Sequence, residues 1–139
     1  MVELARFEQN YTAITEGAWI RVGEEYGDLE IQTRGFTDQY TDAQTRRQRQ
    51  AAKAYEGDVS RLPVALRRKI NIDCLCDFVL MGVRNLTVQG TPVDFPTFCN
   101  LLKDPRYAPL VEASFRAVNR VGQQLEADIE DAVGNSVPA

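Results

Sequence analysis

The chain has 139 residues, 44% of them hydrophobic, which is enough for one domain with its own core. Its 20 acidic and 16 basic residues leave a net charge of -4. There is no histidine, which excludes Ser-His and Cys-His nucleophiles and removes the commonest general base and metal ligand.

Other chemistry is missing too. No phosphate-binding glycine loop of the G-x-x-x-x-G-K-[ST] or G-x-G-x-x-G kind occurs. Glu24-Glu25 falls in a turn, and Glu126, Asp128, Glu130 and Asp131 suit a solvated face. The expectation is a non-enzyme with no cofactor and no metal. The three cysteines, Cys74, Cys76 and Cys99, are an odd set and read as structural thiols. On one helix Cys74 and Cys76 point about 200° apart, which spoils joint chelation. No run approaches the roughly 18 apolar residues of a membrane span. The opening MVELARFEQNY also lacks the apolar centre of a signal peptide. A cytosolic protein with no membrane partner is expected.

Charge is distributed unevenly. Residues 1–35 carry three Arg against seven acids, residues 36–69 eight Lys/Arg against four acids, and residues 70–139 five against nine. The basic region at 46–69 offers Arg46, Arg47, Arg49, Arg67, Arg68 and Lys69 to a nucleic acid. The acidic overall balance argues against that use, since nucleic-acid domains are strongly basic. Pairing within the chain or a solvated helix face is the plainer account.

Residues 1–16 show no firm pattern and read as an N-terminal arm or a short helical turn. Residues 17–22 alternate, with Trp19 and Arg21 on one face and Ala18, Ile20 and Val22 on the other. Residues 28–34 alternate again, predicting a β-hairpin that needs packing on one side. Residues 36–56 read as a helix starting properly at Thr41, whose Thr-x-x-Gln resembles a capping box. Its thin apolar stripe leaves Arg46, Arg47, Arg49 and Lys53 outside, a candidate docking face for an acidic partner. A second helix is predicted from Arg61 to about Met81, capped by Gly82. Residues 83–95 read as a second short hairpin turning at Gln89-Gly90. A short helix over Pro96–Lys103 follows. A long helix from Ala108 to Val133 is then predicted, with Val111, Phe115, Val118, Gly122, Leu125, Ile129 and Ala132 as a 4-3 stripe. The fold class expected is α+β, mainly α: a single domain over 17–133 and a tail from Gly134 to Ala139. Past Val121 the stripe thins and acids crowd it, so Val121, Leu125 and Ile129 are the expected contact seam for a partner helix or a second copy.

The order of these features resembles the tail assembly chaperones of long-tailed bacteriophages and phage-like gene transfer agents. The resemblance covers roughly residues 14–125. Glu16-Gly17-Ala18-Trp19-Ile20 looks like the family's E-G-x-W strand, and Arg34-Gly35 ends a second strand. An Arg-rich helix and an apolar helix follow, running into Val83-Arg84-Asn85-Leu86. Then come the Gly90-Thr91-Pro92-Val93 turn, Pro96-Thr97-Phe98-Cys99-Asn100-Leu101-Leu102 and the stretch from Leu110 to Asn119. The chain departs from the family at Arg84 and at Phe95. The resemblance implies a transient partner of the tape measure protein that also recruits major tail tube subunits. It implies action in the host cytoplasm and absence from the mature virion. Many relatives also have a longer frameshifted form. Two other roles compete: a phage structural adaptor such as a head–tail joining protein, and a small nucleic-acid-binding regulator.

Overall fold

The computed structural model describes residues 1–123 and is mixed α+β, with helix predominating. The N-terminal arm holds a 3-10 turn at Leu4–Phe7 and helix α1, Tyr11–Glu16, whose Asn10 cap accepts a 3.1 Å hydrogen bond from the Ala13 amide. Strands β1 (Ala18–Arg21) and β2 (Glu30–Thr33) form the predicted hairpin, and β3 (Leu80–Arg84) pairs antiparallel with the other edge of β2. Register places Ile20 opposite Ile31 and Ile31 opposite Val83, so one apolar row crosses three strands. Glu30 lies between Arg21 and Arg84 on the outer face. The Arg84 guanidinium is 2.6 Å from Glu30 and stacks 4.1 Å from the Trp19 ring. Trp19 in turn lies over Gly82, filling the space a side chain there would take.

Helix α2 spans Asp38–Ala52 with Thr37 at its N-cap, so the predicted start at Thr41 is three residues late. Tyr40 is buried and meets the Phe36 ring at a tilt of 53°, which orders the chain ahead of the supposed box. Helix α3 spans Val64–Phe78 and packs along α2. The prediction that it continues to Met81 is overturned, and Gly82 is a strand residue. Residues 79–84 are apolar and can extend, and pairing with β2 outweighs their helical spacing. The same pairing takes Val83 and Arg84 out of the predicted second hairpin. Asn85 then adopts a left-handed φ of 65° and donates to the Asp28 carbonyl at 2.9 Å. The hairpin that remains joins β4 (Thr87–Val88) to β5 (Thr91–Pro92) through Gln89 and Gly90, both at positive φ, as a type I′ turn requires.

Helix α4 (Phe95–Leu102) starts at Asp94, whose carboxylate accepts from the Thr97 amide at 2.9 Å. Helix α5 spans Ala108–Arg120. Val121 and Gly122 form a turn, which breaks the single helix predicted over Ala108 to Val133; residues 124–139 lie outside the described ones. The buried face of α5 is Ala113, Ser114, Ala117 and Val118, whereas Leu110 and Phe115 flank it half-buried. Small side chains let α5 approach β1 and β2 closely. Arg120 donates to the carbonyls of Arg21 (3.2 Å) and Val22 (2.8 Å), and Arg116 pairs with Glu25. Helix α1 is held where Ile14 sits between Gly35 and Gly122, and the Asn10 amide donates to the Gly122 carbonyl at 3.1 Å.

A Cβ at Gly122 would meet Ile14 carbons at 2.5 and 2.7 Å. Gly122→Ala is therefore expected to cost about 1–3 kcal/mol by overpacking. In urea unfolding of the two single variants and the double variant, Ile14→Ala should remove most of that cost; additive effects would disprove the lock. A second expectation concerns Asp94. The Thr97 side chain and amide hold its carboxyl below the ordinary 3.8. A depressed carboxyl stabilises the fold above that value and ceases to as pH falls through its folded pKa. The melting difference between wild type and Asp94→Ala should be steady at neutral pH and shrink below pH 3.8; a difference that grows in acid would reverse the assignment.

Candidate functional site

The basic helix is less uniform than its composition suggests. Arg47 falls four residues after Ala43 and four before Ala51, on the packed face of α2. Its guanidinium is 2.8 Å from Asp77, 3.8 Å from the Cys74 sulfur and 5.3 Å from the centre of the Phe78 ring. The hydrogen bond to Asp77 raises its pKa above the ordinary arginine value. Arg47 joins α2 to α3, so its expected place on the outer face is corrected. Arg46, Arg49 and Lys53 are exposed on that face around a shallow depression of about 440 Å3.

The cations offered to a nucleic acid separate in the same way. Arg67 donates to the carbonyls of Val59 (3.1 Å) and Ser60 (2.8 Å), and Lys69 lies 3.4 Å from Asp73. Arg46 and Arg49 remain on α2 and Arg68 on α3, so no single basic stripe forms. Of the expected seam, Val121 is only 5% exposed and belongs to the packing at the end of α5. Leu125 and Ile129 lie outside the described residues.

The cysteines occupy different sides of α3. Cys74 is buried toward α2, where desolvation raises its pKa, while Cys76 meets Cys99 of α4. The hydrogen bond shared with Cys99, and then burial, push the Cys76 thiol up; the same bond holds Cys99 down, so the pair gives up one proton before two. Among the described residues no three His, Cys, Asp or Glu side chains gather as a metal site, and no helix is long and apolar enough to cross a membrane.

The apolar surface lies elsewhere, on both sides of the first turns of α5. One groove, about 710 Å3, runs between α3, the α4–α5 corner and α5, with Ala65, Ile72, Leu102, Ala108 and Val111 in its walls. The other, about 390 Å3, lies between the β4–β5 hairpin and α5, with Leu29, Leu86, Val88, Tyr107 and Leu110. Val88 and Tyr107 are among the large apolar residues left exposed. A larger depression, about 970 Å3, between α1, α2 and the end of α5 has the more polar lining, including Thr15, Arg34 and Asp38. The sequence gives no sign of the two apolar grooves, because each is assembled from segments that are distant along the chain. With this geometry in place, comparison with known proteins adds no relative: no family model, curated protein or solved structure matches the chain.

Arg47 and Arg46 provide a direct contrast. Arg47→Ala removes a partly shielded ion pair and a ring contact, and should lower unfolding free energy by about 1 kcal/mol. Arg46→Ala, one residue away, should stay within about 0.5 kcal/mol of wild type. Equal effects in denaturant titrations would return Arg47 to the solvated face.

Proposed function

We propose that this protein is a tail assembly chaperone of the long-tailed phage kind, a non-enzymatic partner that binds the tape measure protein and promotes tail tube assembly around it. The observation that carries a protein-binding role is the pair of open apolar grooves beside α5. A monomer leaves contiguous apolar surface exposed chiefly where something docks. The resemblance of residues 14–125 supplies the identity of the partner. Several quoted segments fall on the elements that frame these grooves: Gly90–Val93 on the β4–β5 hairpin, Pro96–Leu102 on α4 and Leu110–Asn119 on α5. A long helical polypeptide exposes apolar stripes before the tube encloses it, and a small adaptor that covers those stripes keeps them from self-association. Major tail tube subunits would be recruited to the same complex in the host cytoplasm, and the chaperone would leave before the virion matures.

Co-expression with a tape measure protein of a long-tailed phage tests this role. The partner should shift from the insoluble to the soluble fraction and co-elute with the chain on size exclusion, while mature particles should lack the chain. An insoluble partner with no complex would refute the assignment, and stoichiometric retention in purified virions would favour a head–tail joining role.

A further inference from the structure

We propose that the groove between α3, the α4–α5 corner and α5 binds an amphipathic helix carrying carboxylates along one flank. Shape is the first argument. Residues 65, 69 and 72 of α3 recur at helical spacing along one wall, a run of about 10 Å or two turns. Val111 stands on the α5 side and Leu102 is buried between the walls. Ala65 and Ala108 are exposed and small, so a second backbone can come close. A two-turn apolar slot between helices fits the i, i+3/i+4, i+7 side chains of a docked helix.

Charge selects the class of helix. Arg68, Lys69 and Lys103 rim the slot. Lys69 (3.4 Å) and Lys103 (3.5 Å) share one carboxylate, Asp73. Arg68 is exposed and makes no ion pair or hydrogen bond among the described residues. Three cations thus face one carboxylate on this side. Asp104, at the corner, is engaged by Arg106 at 2.8 Å, and Glu112 stands on the opposite wall near Arg116. An acidic flank laid over α3 and Lys103 is attracted, and a basic one is repelled. Assigning the occupant to the tape measure protein rests on the function proposed above, whereas the groove's preference for an acidic helix does not.

The test uses the full chain and two labelled synthetic peptides of about four turns. Both carry the same leucine stripe, one flanked by glutamates and the other by lysines. Fluorescence anisotropy should show the Glu peptide binding at least about tenfold tighter at low salt, an advantage that shrinks as salt is raised. Arg68→Glu should weaken the Glu peptide about fivefold or more, and Ala65→Gln should weaken both peptides by narrowing the slot. Both positions are exposed, and unchanged melting curves verify that the variants fold. Equal binding of the two peptides, binding of neither, or indifference to both substitutions overturns the proposal. Self-association of the wild type that Arg68→Glu abolishes would assign the groove to a second copy and overturn it as well. Glu-peptide binding without tape measure solubilisation rejects the partner and keeps the groove; solubilisation without peptide binding does the reverse.

Discussion

The pairing of β3 with β2 is the constraint on which the other elements depend. A two-stranded hairpin is marginal in water, and β1 with β2 would remain one without a third strand. That strand is supplied by a helix that stops early: α3 ends at Phe78, and Leu80 already pairs with Thr33. The register shift between Gln32 and Thr33 leaves Met81 as the extra residue of a bulge. The bulge places Met81 against Gly17, whose φ of 89° suits only glycine, so the bulge and the glycine together fix where β1 begins. A slip of one residue would send Ile31 to the outer face and Glu30 into the core.

Once the sheet is set, α5 has little choice of position. Its buried face is built from Ala113, Ser114 and Ala117, and the Ser114 hydroxyl donates to the Leu110 carbonyl at 2.9 Å. That internal bond satisfies a polar group that would otherwise be buried alone. A face of small side chains brings the helix near the strands, and its bulkier residues are displaced to the flanks. Leu110 borders one apolar groove and Val111 the other. The exposed apolar surface is therefore a consequence of how closely α5 packs.

This explains which parts of the structure the sequence disclosed. Alternation disclosed the β1–β2 hairpin, and Gln89-Gly90 disclosed the type I′ turn, because both signals are local. Helix α3 was legible as a covered helix, yet its end was not, because residues 79–84 suit either state and the deciding partner is β2, about 50 residues away. Of the predicted stripe on α5, Val118 is buried and Val111 and Phe115 are half-buried at its flanks, because the core takes the small Ala113, Ser114 and Ala117 as well. Arg47 could have been placed correctly: its spacing from Ala43 and Ala51 puts it on the apolar stripe, and only its charge argued otherwise.

The basic centre and acidic flanks acquire a physical meaning from the same geometry. Cations of residues 36–69 pair with acids of residues 70–139, Arg47 with Asp77 and Lys69 with Asp73. Cations of residues 70–139 pair with acids of residues 1–35, Arg84 with Glu30 and Arg116 with Glu25. Part of the asymmetry is thus used in joining α2 to α3 through Arg47, in a pair within α3 and in dressing the sheet. Surface pairs of this kind contribute little stability each, roughly 0–1 kcal/mol, but they determine which charges remain open to a partner. The uncommitted cations of the basic region include Arg46, Arg49 and Lys53, set on a polar helix face, and Arg68, set beside an apolar slot. Charge alone attracts without holding, since water and salt screen it at an exposed site. Apolar area alone holds without choosing among helices. Arg68 is the open cation of this region that stands where both act together, which makes its groove a better recognition surface than the longer basic face of α2.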